Sequence, residues 1–224
     1  MMREQFEYSL INPLLFWSLK TKDEVSVLIG ETAAVMVAFD QRNPHHCYDL
    51  FLHTMHTVAG IKETAPALLR VAAFFHDIGK PIVAMEKQGR LVFYGHAQKS
   101  AKVACPILKE MGYSDADIKE ICFYIKHHDD FISWVLPEEE YNRENMYLVP
   151  ITKENMQKHI EKTLKKIDID DFQPNKESWE QILELCYADV SAQADVVIQD
   201  GMIIDTKEHK LSKIKALKNL PDVR

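Results

Sequence analysis

The sequence contains no CxxC pair: its four cysteines, Cys47, Cys105, Cys122 and Cys186, stand far apart along the chain. That spacing fits buried thiols in a reducing compartment better than a zinc ribbon or a disulfide scaffold. No apolar run approaches the roughly 20 residues needed to span a bilayer. The first residues, MMREQFEYSLINPLLFWSL, are broken by charged and polar groups and lack a small-residue cleavage site. The expectation is a soluble, cytoplasmic protein with no membrane partner. Basic residues are not in excess: 27 Lys and Arg against 34 Asp and Glu give a net charge of −7, which disfavours a nucleic-acid coat. Only seven glycines, with 46% apolar residues, exclude a disordered chain and allow a sizeable core.

Alternating strand patterns are absent too, and helical periodicity dominates, so the expected fold class is all-α in a single domain over 1–224. Helices are predicted over 22–39 behind Thr21, over 48–60, and over 64–76 with Pro66 in the first turn. A short hairpin-like excursion follows around Gly89, then helices over 96–111 and 114–127, the latter capped by Ser114. Residues 129–151 are irregular and read as an insertion. Helices over 152–167 and 176–199 and a lysine-rich one over about 206–219 complete the chain. The basic faces of the first and last of these read as solvated surfaces.

What the chain has in unusual number is histidine, ten residues dispersed among apolar segments. The run FFHDIGKP (74–81) ends an apolar helix in His76 and Asp77, side by side. A buried carboxylate without a partner costs several kcal/mol, so something positive is expected opposite Asp77. Candidates for the same neighbourhood are His53 in YDLFLHTMHTV, His96 in YGHAQKSA, His127 and His128 in YIKHHDD, and Asp189 in LCYADVSAQ. Imidazole and carboxylate without thiolate suit Mn, Fe, Ni, Zn or Mg.

The order His53, His76-Asp77 within HDIGK, then a distant Asp189 preceded by alanine resembles the HD superfamily of metal-dependent phosphohydrolases. The likeness covers about residues 47–193, and its wording is similar in particular to the HD domain of bacterial tRNA nucleotidyltransferases. The resemblance implies a compact helical bundle. His53, His76, Asp77 and Asp189 would hold one divalent ion, and His96 with one or both of His127 and His128 would hold a second. Asp77 would bridge the two and Lys80 would meet a substrate phosphate. A metal so held acidifies water and neutralises charge at phosphorus.

Around these residues, Asp49 lies one turn before His53 and is expected to orient its ring. Gly79 is expected to allow a sharp turn. His56 reads as packing, and His45 and His46 as turn residues rather than ligands. A head domain with paired carboxylates, which nucleotide addition requires, has no candidate segment in this sequence. The expected activity is therefore hydrolysis of a nucleotide-type phosphomonoester or phosphodiester, with 2′,3′-cyclic or 2′-phosphate esters implied by the resemblance. The competing expectation is a catalytically silent module that binds RNA or a protein through its lysine-rich helices. RNA is the less supported partner, given the acidity.

Overall fold

The computed structural model describes residues 1–12, 14–137, 148–199 and 201–220. Helices α1 (Arg3–Ile11), α2 (Leu14–Ser18), α3 (Lys22–Ile29) and α4 (Glu31–Ala34) precede a loop that leads into α5 (Leu50–Gly60), α6 (Ala67–Phe75) and α7 (Lys80–Val83). The hairpin of β1 (Met85–Lys87) and β2 (Arg90–Val92) connects to α8 (His96–Glu110) and α9 (Asp115–His127). Then come β3 (Trp134–Val135), β4 (Val149–Pro150), α10 (Lys153–Leu164), α11 (Lys176–Ser191), β5 (Val196–Gln199), β6 (Met202–Thr206) and α12 (Lys207–Lys218). The fold is mostly helical, as the periodicity predicts, and its buried side chains form one continuous core.

Side-chain caps fix where most of the longer helices begin. Thr21 and Asn175 close capping boxes on α3 and α11, while Asp49, Ser114, Thr152 and Thr206 each accept a backbone N–H in the first turn of the next helix. Each such cap contributes about 1 kcal/mol. Asp49 is thereby accounted for: its carboxylate takes Leu52 N–H at 2.9 Å and caps α5 instead of orienting the His53 ring.

Two predicted helices are shorter than expected. The one over 22–39 stops at Gly30, whose φ of 105° is left-handed backbone that ends α3. The one over 176–199 ends at Ser191, and Val196–Gln199 pairs antiparallel with Met202–Thr206. The segment VVIQDGMII carries β-branched residues around Asp-Gly, a hairpin signal that overrides the helical reading. The excursion around Gly89 is the expected hairpin. Of the predicted insertion 129–151, residues 138–147 lie outside the described residues; its two ends pair as the short parallel β3 and β4.

The centre of the core explains the apolar run before His76. Phe74 and Phe75 at the end of α6 are fully buried, and Phe74 meets Phe6 of α1 edge-on at 5.2 Å and Phe16 of α2 at 5.6 Å. Burying one such ring stabilises by about 2–3 kcal/mol. The aromatic cluster thus anchors the last turn of α6, and with it the histidine and aspartate that follow.

Candidate metal centre

Two close approaches of backbone bring the site together. Gly60 of α5 faces Ala188 of α11, where an added Cβ would lie 3.3 Å from the alanine methyl. Small residues at both positions let the helices approach, so His53 of α5 reaches Asp189, which follows Ala188. Gly79 has ordinary helical dihedrals (φ −80°), so the sharp turn expected of it is not its role. A Cβ there would lie 2.6 Å from Ser100 N and 2.9 Å from His96 O. Gly79 instead lets α8 sit directly on the HD turn, a contact closed by Gly79 N–H donating to Ser100 Oγ at 2.9 Å. Gly95, with φ 74°, turns the chain so that His96 opens α8.

Around Asp77, which is 1% exposed, the imidazoles divide between its two oxygens. His76 Nε2 and His53 Nε2 lie 3.2 and 3.5 Å from Oδ2, and His96 Nε2 and His128 Nε2 lie 3.2 and 3.7 Å from Oδ1. Asp189 Oδ1 lies 3.0 Å from His53 Nε2 and 3.8 Å from His76 Nε2. Two groups with metal-binding geometry result, His53–His76–Asp77 and Asp77–His96–His128, sharing the aspartate.

The other ring nitrogens decide how these groups are used. Nδ1 of His76, His96 and His128 lies 2.7, 3.0 and 2.8 Å from the carbonyl oxygens of Ala73, Phe93 and Ile125, and His53 Nδ1 lies 3.3 Å from that of Ala192. A carbonyl only accepts, so each Nδ1 carries the hydrogen and each Nε2 turns toward the carboxylates. His53 Nε2, His76 Nε2, Asp77 Oδ1 and Asp189 Oδ1 are all buried without a hydrogen-bond partner. Lone pairs do not bond one another; a proton or a metal cation between them satisfies both. This donor set fits a divalent metal, and the backbone carbonyls behind the rings are what commonly fixes a ligating histidine.

The two carboxylates set the charge of the groups around them. Burial works against charging His76, yet Asp77 and Asp189 outweigh it and lift its pKa to about 10. Against the same cost of burial, His53 is raised by Asp189 and Asp77, and His96 by Asp77 and Asp129. Burial lowers His128, and the charges of His76 and His96 add to that. Asp77 is held well below the ordinary carboxylate range: His76 and Lys80 overcome the penalty of its burial. Lys80 Nζ lies 2.7 Å from Asp77 Oδ2, 3.0 Å from Gln41 Oε1 and 3.2 Å from His46 Nε2. Three donor hydrogens meet three partners inside the protein, and Lys80 also borders the cavity beside Asp77.

His127 does not join the cluster. Consecutive helical residues point about 100° apart, and with His128 facing Asp77, His127 turns to Asp130, Nδ1 to Oδ2 at 2.7 Å. His159 meets the same oxygen at 2.9 Å. His56 packs between Trp17 and Tyr48, as expected of it.

Residues 45–171 match the profile of the HD domain, more than half of the chain. The chain belongs to the HD domain family. Membership places it in a superfamily of metal-dependent hydrolases. Two curated relatives are similar over part of it. A CC-adding tRNA nucleotidyltransferase of Thermus thermophilus is 27% identical over 143 residues, covering 61% of this chain and 32% of that protein. An A-adding tRNA nucleotidyltransferase of Deinococcus radiodurans is 32% identical over 88 residues, 37% of this chain and 20% of that protein. The matched stretch thus spans about a third or less of either relative's length. Asp189 lies beyond the profile match and reaches the HD residues through the packing of α11 on α5.

The HD residues border a cavity of about 600 Å³, within the range of small-molecule sites. Asp77, Lys80, His96, His128 and Asp189 line one part of it, and residues given no site role in the sequence reading line most of the rest. His45 and His46 are among them, although no ligand role was expected of either. The last helix is more than a solvated surface, because its Lys210 and Lys213 face the cavity together with Gln193. A lysine-rich amphipathic helix is usually a surface feature, and its period cannot show which lysines turn inward. Among the described residues, no helix is long and apolar enough to cross a membrane.

Proposed function

We propose that this HD domain hydrolyses a nucleotide-type phosphate ester with one or two divalent ions bound at Asp77. The observation that carries the reading is the convergence of four imidazole Nε2 atoms on the two oxygens of one buried aspartate, with the Asp189 carboxylate set against two of those rings. His53, His76, Asp77 and Asp189 would hold one ion, and Asp77, His96 and His128 the other. A divalent ion so held supplies Lewis acidity toward water and toward a phosphoryl oxygen.

The chain's own residues do the rest. The Nδ1–H bonds to backbone carbonyls hold the rings in one tautomer, so no reorganisation is needed when ligands bind. Lys80 fixes the orientation of Asp77 and places a positive charge beside it. Asp129, whose Oδ2 lies 3.7 Å from His96 Nε2 on the cavity wall, is placed to accept a proton from an attacking water. The cavity's apolar border favours a nucleoside: Phe93 and Tyr94 line it, and the Tyr94 ring is 65% exposed, open for a base to stack on. The identity of the ester, including 2′,3′-cyclic and 2′-phosphate forms, extends the likeness to the tRNA nucleotidyltransferases.

The test is a panel of nucleotide and generic phosphate esters assayed with Mn, Ni, Zn, Mg and Fe, alongside metal analysis of the purified protein. Stoichiometric metal with turnover of at least one ester class is expected. Stoichiometric metal without turnover on the whole panel would replace this reading with a binding module.

A further inference from the structure

We propose that Lys210 and Lys213 of α12, with His45, form an anion subsite for a second, non-scissile phosphate, so that the preferred ligand is a nucleoside bisphosphate. The inference rests on the hydrolase reading for the role of the first phosphate, and on separate residues for the second.

Lys210 is 8% exposed, and its Nζ donates to Gln193 Oε1 at 2.8 Å, a neutral partner. Among the described residues, neither Lys210 nor Lys213 forms an ion pair, whereas Lys207, Lys218 and Lys62 all pair with carboxylates. Burial works against the charge on Lys210, and Asp205 and Asp189 favour it only through space, outside ion-pair distance, so the wall leaves room for an anion in direct contact with the ammonium. Asp205 borders the same wall, but Oδ1 of its carboxylate already accepts from Thr206 N–H at 2.8 Å and faces His209 Nδ1 at 2.8 Å.

The neighbouring groups agree. His45 reaches the wall from the loop before α5, its carbonyl accepting Ala194 N–H at 2.9 Å, and burial and then Lys210 hold its ring toward the neutral form. A neutral imidazole there donates a hydrogen bond without adding to the crowding of cations. Gln193 follows Asp189 by four residues, about one turn, so the subsite and the HD cluster share one cavity. A ligand with phosphates at both ends of a ribose would meet both.

The experiment is an equilibrium titration of the protein as purified, metals bound, with adenosine 3′,5′-bisphosphate and with adenosine 5′-monophosphate. Affinity is read as Kd, or as KM where the ligand is turned over. The bisphosphate should bind at least about tenfold tighter, the scale of one charge-assisted hydrogen bond. In Lys210→Met/Lys213→Met that ratio should fall to near one. Lys213→Gln alone, at a half-buried position that leaves the Lys210–Gln193 bond in place, should lower the ratio in part and serves if the double variant fails to fold. Equal affinities in the wild type, or a ratio that survives the substitutions, overturn the proposal. Turnover of bis(p-nitrophenyl) phosphate by the wild type with Mn judges the hydrolase reading separately. No turnover with the tenfold ratio intact would discard that reading and keep the anion subsite.

Discussion

The histidine-rich and lysine-rich parts of the cavity wall are built on opposite electrostatic terms. Around Asp77, four imidazoles lie within ion-pair distance of its oxygens, and the two buried carboxylates of Asp77 and Asp189 draw positive charge to the cluster. Around Lys210, two ammonium groups stand together without ion-pair partners among the described residues, beside a neutral amide. The first wall comes from α5, α6, α8, α9 and α11, locked by helix packing and by backbone carbonyls. The second comes from the loop before α5 and from α12, after the β5–β6 hairpin. One wall suits a metal; the other, with Lys210 buried, suits an anion. A phosphate ester is a ligand that answers both.

The largest effect that would break the comparison comes from Asp77. Asp77→Asn keeps the volume but removes the charge shared by both groups, and activity should fall by about 10³-fold or more, the several kcal/mol that metal chemistry supplies. Metal analysis should show loss of both ions. Retention of full metal content would mean the histidines alone form the site. Gly79→Ala is next. Its Cβ at 2.6 Å from Ser100 N must push α8 from the HD turn, with a stability loss of about 2–3 kcal/mol by denaturant titration. The His96–His128 ion should then weaken before the His53–His76 ion. Equal weakening of both would show that α8 does not report on one site alone.

Asp130 sharpens the contrast from outside the cluster. Against the cost of burial, His127 and His159 draw its pKa down to about 2. A lowered carboxylate stabilises the fold above its unfolded value and loses that contribution as pH falls through the folded one. About 2 kcal/mol should therefore be present above about pH 4 and disappear toward pH 2. Unfolding of wild type and Asp130→Asn across that range checks it: the gap should close at low pH, and a pH-independent gap would contradict the pairing. The smallest effect is His127→Gln, which should leave metal stoichiometry unchanged, whereas His128→Gln should lose the second ion. The reverse outcome would mean α9 presents its other face.

Much of the histidine wall was legible in the sequence, because a helix spaces its ligands regularly and HDIGK marks where α6 stops. His53, His76, Asp77, His96, His128 and Asp189 do converge. The choice between His127 and His128 was not legible, since either can face inward depending on the rotation of α9. Asp49 misled because the first turn of a helix offers two uses for a carboxylate, and capping prevailed. Gly79 was marked as special for the wrong reason: sequence shows a glycine but not the backbone pressed against it. The lysine wall was hidden altogether. Lys210 and Lys213 sit in a polar helix whose inward face depends on a hairpin that the sequence reading took for helix.

The most direct test is anomalous diffraction from crystals of the protein grown with manganese. The account predicts two peaks flanking Asp77, one within ligand distance of His53, His76 and Asp189, the other of His96 and His128. A structure that binds manganese elsewhere, with Asp77 still paired only to Lys80 and the imidazoles, would contradict it.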